Sequence, residues 1–167
     1  MALEIIALDH PNTLLEINNA AVPDVGALTT VKAQWLCEHV MLPGLAILDG
    51  QPAGVVIVLS ESCGYASDYY RWFTDRYENF LYIDRVIVAE WARGRGVAKQ
   101  LYQAVDRLAQ ASNAAIVADV YSDPPNTRSL NLHRTMGFLE VGTQYFPAIN
   151  KTAAKLMKYG EQAKQKV

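Results

Sequence analysis

The stretch Val88-Ala89-Glu90-Trp91-Ala92-Arg93-Gly94-Arg95-Gly96-Val97-Ala98-Lys99 decides how this chain is read. It joins a long, mostly apolar run, Phe80–Val88, to Gly96–Ala111, where Val97, Leu101, Ala104, Val105 and Leu108 recur at helical spacing. The order is strand, small turn, helix. The first amides of a helix have no intrahelical partner and carry partial positive charge. Gly94 and Gly96 remove side chains that would hold an anion away from that backbone. Arg93, Arg95 and Lys99 crowd an end where the helix dipole disfavours cations, with only Glu90 upstream. A polyanionic ligand resolves that conflict, so the turn reads as a phosphate or pyrophosphate cradle. A solvated basic turn is the plain alternative.

Working outward, the same alternation continues. Ala114–Tyr121 is a β-branched strand, Pro124–Pro125 breaks the chain, Thr127–Met136 is a helix, and Phe138–Phe146 and Thr152–Tyr159 are strands. Upstream, Leu3–Leu8 reads as a strand ended by Pro11 and Asn12, followed by helical Thr13–Ala21 and Thr29–Val40. Gly44–Leu48 and Ala53–Leu59 flank Asp49-Gly50, a dipeptide suited to a tight hairpin turn. Strands alternating with helices, plus an early hairpin, predict an α/β or α+β domain with a mixed sheet. At 167 residues, with no repeat and no linker, a single domain over 1–167 is expected.

Composition narrows the function. A net charge of −2 leaves no basic footprint for nucleic acid and no polybasic cluster for a membrane surface. The apolar fraction of 51% can bury a core without disulfides, and Cys37 and Cys63 belong to no CxxC pattern. His10, His39 and His133 are too scattered for a zinc pair, so no metal is expected. Met1–His10 carries Glu4 and no basic residue, the reverse of a secretory leader, and a cytoplasmic, soluble protein is expected.

Between Tyr65 and Tyr82 lie eight aromatic residues, interleaved with Asp68, Arg71, Asp75, Arg76 and Glu78. They read as a loop with a short helix whose rings close one end of the core. A substrate wall, a lid or a homodimer contact would use the same residues.

Three phosphate-binding families can be compared at the glycine turn. A P-loop needs GxxxxGK[ST], which is absent. A dinucleotide fingerprint fits Gly94 and Gly96 but meets Lys99 at its third glycine, with Asp119 as the acidic residue downstream. The third comparison extends furthest. Arg93-x-x-Gly96-x-Ala98 resembles the [Q/R]-x-x-G-x-[G/A] signature of the GNAT N-acetyltransferase superfamily, between its usual strand and helix. Asn126, Ser129, His133, Gly137 and Phe138 fall at the offsets of that superfamily's second motif, with His133 where Tyr is commonest. Tyr70-Arg71-Trp72-Phe73, Phe80-Leu81-Tyr82-Ile83-Asp84-Arg85-Val86 and Asp123-Pro124-Pro125-Asn126 are similar to one bacterial branch of predicted acetyltransferases.

The resemblance implies a centrally splayed mixed sheet of about six to seven strands flanked by about four helices. It also implies acetyl-CoA as acyl donor, bound where two neighbouring parallel strands part. Backbone groups of Val86 and Val88 would pair with the pantetheine arm. Arg93, Gly94, Arg95, Gly96, Val97, Ala98 and Lys99 would hold the pyrophosphate, and Asn126 and Ser129 the pantetheine. The implied activity is direct acetyl transfer to a primary amine of a small molecule or peptide. A non-catalytic acyl-CoA-binding or sensing module is the alternative, and His133 in place of Tyr is what favours it.

Amine acetylation needs a neutral amine, a donor for the oxyanion and a stabilised thiolate. Asn126, Ser129 and His133 fall within about 60° of each other on a helix, so His133 could offer a proton to sulfur. Asp84, in an otherwise apolar strand, is costly to bury unless paired or functional. It is the first candidate base, then Tyr82, which shares its strand face, then Asp119. Arg85 is expected on the opposite face and so away from Asp84.

Overall fold

A computed structural model describes residues 1–167. The chain forms two compact units, Met1–Ser60 with Asp84–Leu108 and Glu61–Ile83 with Ala109–Val167.

In the first unit, β1 (Leu3–Ile6), β2 (Leu45–Leu48) and β3 (Gln51–Ser60) form an antiparallel ladder, Leu3 opposite Leu48 and Leu45 opposite Val55. Asp49 and Gly50 both take positive φ, 51° and 81°, as a two-residue hairpin turn demands. Strand β1 stops two residues short of the expected Leu8. Pro11 opens helix α1 (Pro11–Ala20) instead of merely closing the strand, because a first-turn proline lacks only an amide that would have had no partner. Helix α2 (Thr30–His39) is capped by Thr29, whose hydroxyl accepts the Lys32 amide at 3.2 Å. Buried Asn18 closes the loop between these helices by donating to the Gly26 carbonyl at 3.0 Å.

Residues Ala53 to Leu59 of β3 are buried on both faces, which explains their unbroken apolar run. Gly54 is required there. A Cβ would sit 2.6 Å from the carbonyl oxygen of Ile87 and 3.1 Å from Val97. That close approach lets the Ala89 amide reach the Ala53 carbonyl at 2.8 Å. Helix α4 (Val97–Ser112) buries Val97, Leu101, Tyr102 and Val105 along one stripe.

In the second unit, Phe80–Ile83 of β5 (Phe80–Val88) pairs in parallel with Ala115–Ala118 of β6 (Ala115–Asp123). The ladder ends there, before Val86 and Val88. Strand β8 (Lys151–Lys158) runs antiparallel to β6 and to β7 (Leu139–Phe146), with Asp119 opposite Lys155. Helix α5 (Thr127–Thr135) connects β6 to β7. The aromatic stretch forms helix α3 (Asp68–Thr74) and β4 (Tyr77–Glu78), the latter paired with β9 (Lys164–Gln165). Tyr65, Tyr70, Phe73, Phe80 and Tyr82 are buried, with the Tyr70 and Tyr82 rings edge-on at 5.3 Å. Those rings close the core.

Strand order in the seven-stranded sheet is β1-β2-β3-β5-β6-β8-β7. With five α-helices it is a mixed α/β fold, as the alternation of elements predicts. No helix is long and apolar enough to cross a membrane.

Candidate active site

The cradle turn begins with a short 3₁₀ turn over Glu90–Ala92 and then runs through Gly94 and Gly96, at φ 74° and 83°. Residues with a side chain rarely adopt that conformation, so both glycines are needed for the backbone path. A Cβ built on either would meet no atom within 4 Å, so the space above both is open. The Gly96 carbonyl accepts the Gln100 amide at 3.1 Å. The amides of Val97, Ala98 and Lys99 therefore form the open first turn of α4, which carries no acidic residue. These features fit a diphosphate.

The three cations at this end differ in their partners. Arg95 donates to Asp49 in the hairpin turn at 2.8 Å, and its guanidinium lies 5.9 Å from the Trp91 ring centre. The Ala2 amide and then Arg95 hold the Asp49 carboxyl below the usual carboxylate range. Arg93 and Lys99 are exposed and form no ion pair. The positive charge that asks for a ligand is thus mainly theirs.

Asp84 has a partner that strand alternation did not predict. Arg85 Nε donates to Asp84 Oδ2 at 2.6 Å, both side chains being nearly buried. The same guanidinium donates to Asn18 at 2.6 Å and to the Gly26 carbonyl at 3.3 Å. Adjacent strand residues point to opposite faces, but an arginine stem is long enough to bring its guanidinium back to the neighbouring carboxylate. Asp84 is therefore fixed in position by a chain that reaches the α1–α2 loop.

Tyr82 belongs to a different network. Its hydroxyl donates to Asp119 Oδ2 at 2.9 Å, and the other carboxylate oxygen of Asp119 receives Lys155 Nζ. Lys155 is fully buried. Sequence reasoning passed over it, although a cation between Ala153-Ala154 and Leu156-Met157 needs a carboxylate for the same reason as Asp84 needs a cation.

On α5, Asn126 is the N-cap and accepts the Ser129 amide at 3.1 Å. His133 lies one turn beyond Ser129, buried, with its ring edge-on to Phe138 at 5.0 Å. Its Nδ1 is 2.8 Å from the Ser129 carbonyl. A carbonyl only accepts, so the neutral ring carries its proton on Nδ1. Burial pushes the His133 pKa below its ordinary 6.5, partly opposed by the Ser129 carbonyl.

A stability prediction follows from that shift. The unfolded chain takes up a proton on His133 near pH 6.5 and the folded chain resists it. Stability should therefore fall as pH drops below that value. Denaturant melts between pH 7.5 and 5 should show the loss in wild type and a shallower one in His133→Phe. Equal slopes in both proteins would remove His133 as the cause.

The chain matches the acetyltransferase (GNAT) family over residues 13–138 and belongs to it. By family it is an acetyltransferase. Among solved structures, Ard1 from Thermoplasma volcanium superposes with a TM-score of 0.69 at 15% identity, covering 94% of this chain and 95% of that one. Arabidopsis thaliana NAA60 in complex with acetyl-CoA superposes with a TM-score of 0.69 at 16% identity, covering 94% and 98%. An N-acetyltransferase from Staphylococcus aureus Mu50 gives 0.64 at 19% identity, covering 94% and 96%. At these identities the likeness is one of fold. No curated protein sequence matches the chain significantly.

Proposed function

We propose that the protein acetylates a primary amine of a small molecule or peptide by direct attack of the neutral amine on acetyl-CoA. The observation that carries this reading is the Gly94–Lys99 turn, with open space over two positive-φ glycines at the start of α4. In this reading the amides of Val97, Ala98 and Lys99 hold the pyrophosphate, with Arg93 and Lys99 supplying charge and Arg95 tied to Asp49. Val86 and Val88 lie beyond the last β5–β6 pair, where their backbone groups would serve the pantetheine arm. Asn126 and Ser129, joined in the α5 cap, are the further residues that the family resemblance assigns to the pantetheine.

Proton removal from the amine falls to β5, to Asp84 through water and to Tyr82 with Asp119 behind it. His133 is the candidate donor to the leaving sulfur. Because its neutral ring holds its proton toward Ser129, that role belongs to the protonated ring and strengthens as pH falls. A non-catalytic acyl-CoA-binding module is the second reading, favoured by this same tautomer.

Release of free thiol from acetyl-CoA, measured over a panel of primary amines, separates the two. Turnover on at least one amine is expected. CoA binding with no turnover on any amine would instead establish the binding module.

A further inference from the structure

We propose that Lys155 is a positioning residue for acetyl transfer: it keeps Asp119 ionised, and Asp119 in turn holds the Tyr82 phenol with its hydrogen turned inward. The inference rests on the acetyl-transfer reading above and adds a residue that reading does not contain.

Lys155 is fully buried on β8, directly opposite Asp119 on β6. Its ammonium donates to Asp119 Oδ1 and, at 3.3 Å, to the Tyr69 carbonyl. The rings of Phe73, Tyr69, Trp72 and Phe146 lie around it, with centres between 5.3 and 5.9 Å away. Ring faces stabilise a cation weakly and offer no counter-charge. Asp119 is the one carboxylate in contact with this ammonium. A lysine placed at such cost for packing alone would be replaced with advantage by leucine or methionine.

The second oxygen of Asp119 accepts the Tyr82 hydroxyl at 2.9 Å. A protonated Asp119 could not accept from both neighbours in this way. With its hydrogen directed at the carboxylate, the Tyr82 oxygen acts as an acceptor toward the incoming amine. As the acceptor nitrogen bonds to the acetyl carbon, its proton passes to Tyr82 Oη while the phenol hydrogen passes to Asp119. The C–S bond breaks, the departing thiolate takes a proton from protonated His133, which regains one from water, and Asp119 returns its proton to water.

The charged and titratable groups facing this pair come from every packed element. They are Tyr82 on β5, Tyr69 on α3 (itself acted on by Asp68), Tyr121 on β6 and Arg76 after α3. Arg76 repels the Lys155 charge, and Tyr121 bonds to Tyr69 at 2.6 Å between hydroxyls.

The test compares wild type with Lys155→Met, Lys155→Arg and Asp119→Asn. Carbon-detected NMR follows the Asp119 carboxyl through pH, and turnover is measured across the same range at saturating acetyl-CoA. In Lys155→Met, Asp119 should titrate about one pH unit or more higher than in wild type, since burial without a cation favours the neutral acid. The acid limb of turnover should move with it. Turnover at neutral pH should fall at least about tenfold, with acetyl-CoA affinity within about twofold. Lys155→Arg should restore most of the loss. Should Lys155→Met fail to fold, Asp119→Asn still decides, because it should remove the part of the acid limb set by the Asp119 carboxyl and lower turnover at neutral pH at least about tenfold.

A wild-type pH profile in Lys155→Met or Asp119→Asn would overturn the inference. So would a pH-independent loss that arginine does not rescue. A wild type inactive on every amine, with the Asp119 shift intact, would overturn the acetyl-transfer reading and the catalytic placement with it.

Discussion

Gly96→Glu is expected to lower CoA affinity by about 10²-fold or more, a difference of roughly 2.7 kcal/mol or greater. The added carboxylate would occupy the open space above the start of α4 and repel a diphosphate there. The substitution has a second effect, because Gly96 sits at φ 83° and any side chain there costs roughly 1–2 kcal/mol of strain. Gly96→Ala carries the same strain without the charge, so it separates the two effects. Calorimetry should show a modest loss for alanine and near-complete loss for glutamate, with similar melting temperatures. CoA binding by the glutamate variant at wild-type strength would remove the cradle assignment.

The second large effect is expected at Asp84. Asp84→Asn should reduce turnover by about 10²-fold or more while acetyl-CoA affinity changes little, the loss expected when removal of the ammonium proton before attack is impaired. The deficit should shrink as pH rises, because the acceptor amine then loses its proton unaided. Asparagine keeps an acceptor for Arg85, so the link to Asn18 and Gly26 should survive. Initial rates between pH 6.5 and 9.5 provide the measurement. Unchanged turnover at neutral pH would reduce Asp84 to an anchor for Arg85, with no part in freeing the amine of its ammonium proton before attack.

What the sequence revealed, and what it hid, divides along one physical line. Elements set by local chemistry were legible. Asp49-Gly50 demands a tight turn, the apolar run of β3 demands burial, and Asn126 after two prolines demands a cap. Even the error at Pro11 concerned a boundary rather than an element, since proline both ends strands and begins helices. Contacts set by register or by reach were not legible. Asp119 meets Lys155 only because the β6–β8 ladder sets them opposite, 36 residues apart in the chain. Arg95 finds Asp49, 46 residues away, only once the hairpin has formed. Arg85 and Asp84 are neighbours, yet strand alternation argues against their pairing, and only the length of the arginine stem permits it.

The seclusion of Lys155 also makes it a clock for the opening of the molecule. An amine-reactive reagent can modify most lysines of the folded chain on contact, but it can reach Lys155 only while β8 is transiently exposed. The rate at which Lys155 becomes labelled, divided by the rate at exposed Lys164, therefore counts excursions from the native state without denaturant. A ligand that binds only the folded form should slow this clock by its binding factor. Mass spectrometry of one peptide could then rank acceptor amines that produce no colour, no heat and no turnover.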